Sequence, residues 1–342
     1  MEYLVGRKNF ELKVERRETP EPAEDEVLVR VLGCGVCGTD LHFLRGSEDW
    51  TPLGHEISGR VEACGSRVRG ILPGAQVTVE DVAACGRCEA CQNGDIGRCT
   101  SMITLNGQAG MGDFLCVPER LIVPCDGLDP LDACFVEPLT VCVNAVMAAQ
   151  VPPRGTLVVW GLGPLGLMSI RVAKLFGAGR VLAVASKRGT ERSRFREALA
   201  LEMGADEVLF SSDADFSVRL NAAKHGRADS VLVTSPPVTL PQAVASADYG
   251  TRIVPIGIDL GGHAVVPLDV DQLILNKKSI VPMLSEPEVH FPLSVKLLRS
   301  GSIPTDRLLT HRIPLRDTER FRRIFAEDPR VVKAVVVPEG AE

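Results

Sequence analysis

The sequence predicts an α/β protein in two parts, a β-rich domain followed by a doubly wound domain built on a parallel sheet. Three observations carry this expectation. Before about residue 120, short β-branched runs are separated by Gly and Pro. From about residue 156 onward, apolar strand-like runs alternate with helical patterns. All 11 cysteines lie between Cys34 and Cys142, so the two parts carry different chemistry.

Taken in order, EVLVRVLGCGV, ISGRVEACG and AQVTVEDV read as strands. Near Leu131 the pattern changes, and DACFVEPLTVCVNAVMAA places apolar residues at helical spacing with few breakers. TLVVWG is then a strand, GLGPLGLMSIRVAKLFGA a turn and helix, and RVLAVAS a second strand. REALALEMGA is a helix, and EVLFS, SVLVTS and TRIVPIGI are strands. Such alternation makes βαβ units and hence a parallel sheet. Beyond about residue 282 it fades into LSVKLLRSG, a helix, and VKAVVVP, a final strand.

The 342 residues suffice for two domains of ordinary size, and 45% hydrophobic with 24% charged residues is a globular composition. A formal net charge of -6 gives no electrostatic reason to bind nucleic acid or an anionic membrane. The longest apolar run, 157–170, is broken by glycines and a proline, short of the roughly 20 residues of a membrane span. The N-terminal residues show no apolar signal core, and a cytoplasmic location is expected. An odd number of clustered cysteines in a long chain favours metal binding over a disulfide framework.

Gly161, Gly163 and Gly166 form G-x-G-x-x-G between a strand and a helix. In that context the glycines allow a tight turn, approach of a pyrophosphate, and close packing of helix on strand. The helix N-terminus, with Leu165 in its first turn, offers free N–H groups to phosphate. The competing reading is a plain tight turn. An acidic residue about 20 positions beyond the fingerprint holds the ribose 2′-OH of NAD. Here Ser186, Lys187 and Arg188 stand in that region, followed by Arg192, Arg194 and Arg196. A hydroxyl and a guanidinium accept a 2′-phosphate that an acid would repel. NADP is therefore favoured and NAD possible, although some of these arginines belong to a solvated basic loop.

Cys85, Cys88, Cys91 and Cys99 read C-x2-C-x2-C-x7-C, the donor set of a closed structural zinc site. An iron–sulfur cluster is the chemical alternative. Cys37 in GVCGTDLH, His55 and Glu56 in LGHE, and Glu137 in FVEPL are uninformative singly. Together they supply a thiolate, an imidazole and carboxylates, the ligand types of an open catalytic zinc. Such a zinc polarises an alcohol or carbonyl oxygen.

GCGVCGTDLH, LGHEISGRV, the four-cysteine lobe, EPL and VVWGLGPLG, in that order, resemble the medium-chain dehydrogenase/reductase superfamily in its zinc-dependent alcohol dehydrogenase branch, with polyol, sorbitol and threonine dehydrogenase character. The resemblance implies a GroES-like catalytic domain over 1–144, with its zinc lobe at 81–100 and completion by 283–342. It also implies a Rossmann nucleotide-binding domain over 145–282, with the active site in the cleft. It implies two zincs per chain. Cys37, His55 and Glu137 would be the catalytic ligands, and Glu56 a neighbouring carboxylate able to exchange onto the metal. Thr39 would take the substrate's proton, and His42 would relay it to solvent. Asp40 would orient His55. The expected substrate is a small secondary alcohol: a polyol, sugar, aminocyclitol or amino alcohol. A homodimer or homotetramer is implied, with TRIVPIGI as the edge strand that pairs between subunits.

Cys37 and His55 stand closer together than the family pattern has them, which implies a shortened loop and a more open mouth. Trp50, in that loop, either walls the substrate site or anchors the loop. His225, His263, His290 and His311 read as surface or satisfied core residues, and Cys34, Cys64, Cys116, Cys125, Cys134 and Cys142 as small buried hydrophobes. Two other classes remain open at this stage. One is a non-catalytic nucleotide-binding relative of the fold; the other is an interaction module built on the cysteine lobe.

Overall fold

The computed structural model describes residues 1–105, 107–260, 262–285 and 289–340. Residues 286–288 and 341–342, part of the expected C-terminal return, lie outside the described residues. Contacts divide the chain into two compact units, Met1–Thr140 with Glu286–Glu342, and Val141–Ser285.

In the first unit the strand Glu26–Gly35 is the organiser. It runs antiparallel to Glu56–Cys64, Phe114–Pro118 and Lys333–Val337. Gln76–Val79 and then Ile122–Pro124 extend the sheet beyond Glu56–Cys64, and Leu309–Pro314 extends it beyond Lys333–Val337. Residues two apart on a strand share a face. Thus Val27, Val29 and Val31 all enter one core with Ile57, Val77, Val79 and Val336. The return of the chain through Val335↔Gly35 and Val336↔Cys34 makes late residues part of the same sheet as early ones.

Trp50 lies beside the small sheet of Glu2–Arg7, Glu11–Arg16 and Thr51–Pro52. The Arg7 guanidinium is 4.7 Å and the Lys13 ammonium 4.2 Å from its ring centre. Cation–π contact on this scale holds the loop, so of the two roles open to Trp50 the contacts support the anchor.

The second unit is a six-stranded parallel sheet ordered Glu207–Phe210, Arg180–Ala185, Thr156–Trp160, Ser230–Val233, Arg252–Pro255, Ser279–Ile280. In chain order this is 3-2-1-4-5-6, the Rossmann arrangement. Helices cover such a sheet on both faces, so its strands are apolar throughout; TLVVW is buried along its whole length.

One expectation is corrected. The TRIVPIGI strand, Arg252–Pro255, is not an edge, because it pairs with Ser230–Val233 on one side and Ser279–Ile280 on the other. The edge on that side is the two-residue strand Ser279–Ile280. So short a run, with Pro282 just beyond it, offers no alternating pattern to read. Among the described residues, no helix is long and apolar enough to cross a membrane.

Candidate functional site

The Gly-rich turn follows the strand Thr156–Trp160. Gly161 adopts φ 102°, and a Cβ on Gly166 would fall 1.9 Å from the Gly161 carbonyl oxygen. Both positions therefore require glycine. Gly163 caps the helix Pro164–Leu175 without any side-chain bond, and nothing lies within 4 Å of where its Cβ would be. The first helical turn, with Leu165, is left with backbone N–H groups unsatisfied by a cap.

Ser186, Lys187 and Arg188 lie just past the second parallel strand, Arg180–Ala185. Arg188 stacks 4.3 Å over the Phe210 ring, and its Nη2 lies 3.2 Å from Asp213 Oδ2. Arg194 donates to the Gly189 carbonyl at 2.8 Å. Arg196 is largely buried, and burial, with Arg192 nearby, brings its pKa down to about 10. Those two arginines are thus engaged by the fold itself.

The four cysteines Cys85, Cys88, Cys91 and Cys99 bring their sulfurs within 4.8 Å of one another. Cys85 Sγ to Cys91 Sγ is 4.0 Å and Cys88 Sγ to Cys99 Sγ is 3.9 Å. A tetrahedron with arms of about 2.3 Å has edges of about 3.8 Å, whereas a disulfide needs about 2.05 Å. The sulfurs also collect backbone donors: Cys85 N–H donates to Cys99 Sγ at 3.3 Å, and Cys88 N–H to Cys85 Sγ at 3.3 Å. N–H groups of Thr100 and Cys91 pull the Cys88 thiol down to about 6. Paired strands Val82–Ala83 and Ile103–Thr104 close the base of this lobe. Four converging sulfurs with thiolate-stabilising donors suit a closed metal site.

The second cluster is assembled from separate elements. Cys37 caps the helix Gly38–Gly46, and its N–H donates to Asp40 Oδ2 at 2.9 Å. Asp40 Oδ1 accepts from Gly54 N–H at 2.9 Å. The buried Asp40 carboxylate therefore grips the backbone at Cys37 and at Gly54, next to His55. Thr39 Oγ1 lies 3.7 Å from Cys37 Sγ. His42 is three positions further on in the same helix, half-buried.

Glu56 opens the strand Glu56–Cys64 and is buried. Glu137 sits in the first turn of the helix Val136–Ala149, also buried. The donor atoms of Cys37, His55 and Glu56 lie within 4.8 Å of one another, and so do those of His55, Asp81 and Glu137. His55 belongs to both trios. Burial disfavours the charged His55 ring, but the Cys37 sulfur, Asp40 and Glu137 outweigh it and hold the ring well above its ordinary pKa. Burial pushes the Glu137 carboxyl up to about 8, opposed by His55 and reinforced by Asp81 and Glu56. A thiol, an imidazole and several carboxylates crowded out of water suit a divalent, borderline-soft cation.

Two members of this cluster were not anticipated from the sequence. Asp81 lies between the strands Gln76–Val79 and Val82–Ala83. Lys333 opens the late strand Lys333–Val337, fully packed, with its Nζ 2.5 Å from both Glu56 carboxylate oxygens and 3.2 Å from the Val36 carbonyl.

Residues 23–127 match the family described as alcohol dehydrogenase GroES-like domain, and 164–296 the family described as zinc-binding dehydrogenase. The chain is 30% identical to an L-galactonate-5-dehydrogenase of Escherichia coli over 98% of both chains. It is 29% identical to a sorbitol dehydrogenase of Bacillus subtilis over 99% of this chain and 97% of that one. A zinc-binding dehydrogenase of Sinorhizobium meliloti, solved bound to NADP, superposes with a TM-score of 0.85 at 27% identity, covering 98% of this chain and 99% of the other.

Proposed function

The chain belongs to the zinc-dependent alcohol dehydrogenase branch of the medium-chain dehydrogenase/reductase family, and from that premise we propose that it transfers a hydride between a small secondary alcohol and NADP. The observation that carries the reading is the convergence of sulfur, imidazole and carboxylate donors on His55. Cys37, His55 and Glu137 would hold the catalytic zinc, and Cys85, Cys88, Cys91 and Cys99 a structural one. When bound, the catalytic zinc supplies a Lewis acid for the substrate oxygen and the nicotinamide supplies the hydride acceptor.

The chain's own residues do the rest. The Thr39 hydroxyl takes the proton of the substrate alcohol, and His42 passes it toward solvent. Asp40 ties Cys37 to the segment before His55 by accepting from the backbone N–H groups of Cys37 and Gly54. Glu56 stays at the edge of the donor set in the grip of Lys333. Gly161, Gly163, Leu165 and Gly166 receive the pyrophosphate, and Ser186, Lys187 and Arg188 the 2′-phosphate. The absence of an acid at 186–188 supports NADP over NAD; among similar solved structures, one is bound to NADP and another to NADH. Relatives named for galactonate and sorbitol support a polyol, sugar, aminocyclitol or amino alcohol as substrate. Exposed Ile274, Leu275 and Leu284, in the stretch that carries the edge strand, support a homodimer or homotetramer.

A dehydrogenase screen over polyols, aminocyclitols and simple secondary alcohols, with NADP and NAD in parallel, tests the reading. Turnover of a polyhydroxy or amino alcohol with NADP supports it. A preference for NAD above about tenfold, about 1.4 kcal/mol, overturns the assignment of Ser186 to Arg188.

A further inference from the structure

We propose that Asp213 is a cofactor-specificity residue, whose carboxylate, carried to Arg188 by the neighbouring parallel strand, holds down the preference for a 2′-phosphate over a free 2′-hydroxyl. The inference rests on the nucleotide reading proposed above.

The sequence has no acid at 186–188, but the sheet supplies one from the side. Glu207–Phe210 runs parallel to Arg180–Ala185, with Phe210 opposite Ala185. The pairing continues past both strand ends. Ser211 N–H donates to the Ala185 carbonyl at 2.8 Å, and Ser212 N–H to the Ser186 carbonyl at 3.0 Å. One residue further on, Asp213 comes alongside Arg188. Its backbone is fixed there by a turn: its N–H donates to the Phe210 carbonyl at 3.0 Å, and its carbonyl accepts from Phe216 N–H at 3.1 Å.

The carboxylate grips one edge of the guanidinium. Arg188 Nε and Nη2 lie 3.4 and 3.2 Å from Asp213 Oδ2, while the guanidinium stacks 4.3 Å over the Phe210 ring. A guanidinium is a rigid fork of donors, so an edge held by one anion leaves another edge for a second. Asp213 is itself tied down from behind. Arg219, on the helix Phe216–Ala223, places Nη1 3.4 Å from the same Oδ2 and Nη2 3.6 Å from Glu207 Oε1. A second cation thus holds the carboxylate at this place, and Arg188, exposed, is the member of the chain that faces solvent.

Charge then sets the preference. A 2′-phosphate on Arg188 would meet a guanidinium that Asp213 already partly neutralises, and the two anions repel across it. A ribose 2′-hydroxyl carries no charge to repel, and it can donate to a carboxylate, the contact that NAD enzymes make with an acid after the second strand. Asp213 therefore penalises the phosphorylated nucleotide relative to the unphosphorylated one, without removing the arginine that receives the phosphate. The selectivity of the chain is a balance between Arg188 and Asp213, drawn from two adjacent strands.

The test is calorimetric titration of the full chain with adenosine 2′,5′-bisphosphate and with adenosine 5′-monophosphate, which differ only in the 2′-phosphate and require no turnover. The readout is the ratio of the two affinities, which cancels general damage to the nucleotide site. Asp213→Asn keeps the shape and a hydrogen bond to Arg188 but removes the charge. It should raise the ratio in favour of the bisphosphate by about three- to tenfold at low salt, and the gain should shrink in about 0.5 M salt. Asp213→Glu keeps the charge and should stay within about twofold of the wild type. The NADP to NAD ratio of kcat/KM should move in the same direction as the binding ratio. An unchanged or lower binding ratio in Asp213→Asn overturns the proposal, as does a gain that salt does not diminish or a gain of equal size in Asp213→Glu. A wild-type chain that takes up neither nucleotide overturns the proposed function as well. A wild type that binds both, with a ratio that Asp213→Asn does not move, overturns this inference alone.

Discussion

The four-cysteine lobe draws every donor from residues 85–99, whereas the cluster around His55 draws on Cys37, Glu56, Asp81 and Glu137 and is bounded by Lys333 from the far end of the sheet. The lobe is a local object. Its sulfurs accept from backbone N–H groups within the same short segment, three and fourteen residues away, and one paired strand couple closes it. The His55 cluster has no local geometry of its own. A helix cap, two sheet strands, a second helix and a returning strand must all be in place before its donors meet. The difference teaches that one protein can carry one donor cluster encoded by spacing and another encoded by tertiary packing, and that the two should fail in different ways.

The largest separation is expected from paired ligand substitutions. Cys37→Ser should lower kcat/KM by about 10³-fold or more, because a Lewis acid contributes several kcal/mol to the barrier. Metal analysis should show one equivalent lost and the lobe still loaded. Cys99→Ser should lose the other equivalent and lower the unfolding temperature, with turnover per remaining catalytic metal nearly intact. Equal loss of turnover in both variants would erase the distinction between the sites.

Lys333→Met probes the packing side of the comparison. It leaves the buried Glu56 carboxylate unpaired, and denaturant unfolding should show a loss of about 3–5 kcal/mol. The double variant Lys333→Met with Glu56→Met should recover most of it. A single variant as stable as the wild type would show that the pair holds nothing in place.

Smaller effects lie outside both clusters. Arg188→Ser should reduce kcat/KM with NADP by about tenfold, about 1.4 kcal/mol, and leave the weaker NAD reaction unchanged. Trp50→Leu removes the contacts to Arg7 and Lys13 and should cost about 0.5–1 kcal/mol in thermal unfolding. Because Trp50 anchors the loop, kcat should hardly move.

Legibility followed the same division. The cysteine lobe and the Gly161 to Gly166 turn are runs of nearby residues whose spacing carries the signal, so they stand out in the sequence, whereas Cys37 in GVCGTDLH gained meaning only beside the other motifs. Asp81 sits in VTVEDV and looks like an ordinary strand-end acid; only the approach of His55 and Glu137 gives it meaning. Lys333 did leave a trace, as a charge placed before AVVVP in a strand otherwise fit for a core, since a buried lysine demands a partner. The partner itself, far away in sequence, could not be read. Asp40 was singled out only through the family resemblance, and its grip on Gly54 depends on how two segments meet. The edge of the parallel sheet was misread because its true edge is too short to carry a pattern.

The return of Lys333–Val337 to the first sheet has a consequence for the order of events at synthesis. The lobe residues emerge from the ribosome long before Lys333 does, and chains fold as they emerge. On the proposed function, the cysteine lobe would capture its metal on a nascent chain. Glu56 has no counter-ion, and the sheet beside Cys34 and Gly35 no neighbour, until the late strand arrives. Catalytic competence is thereby timed to follow the emergence of that late strand, and a stalled, shortened chain would be metal-bearing but inert.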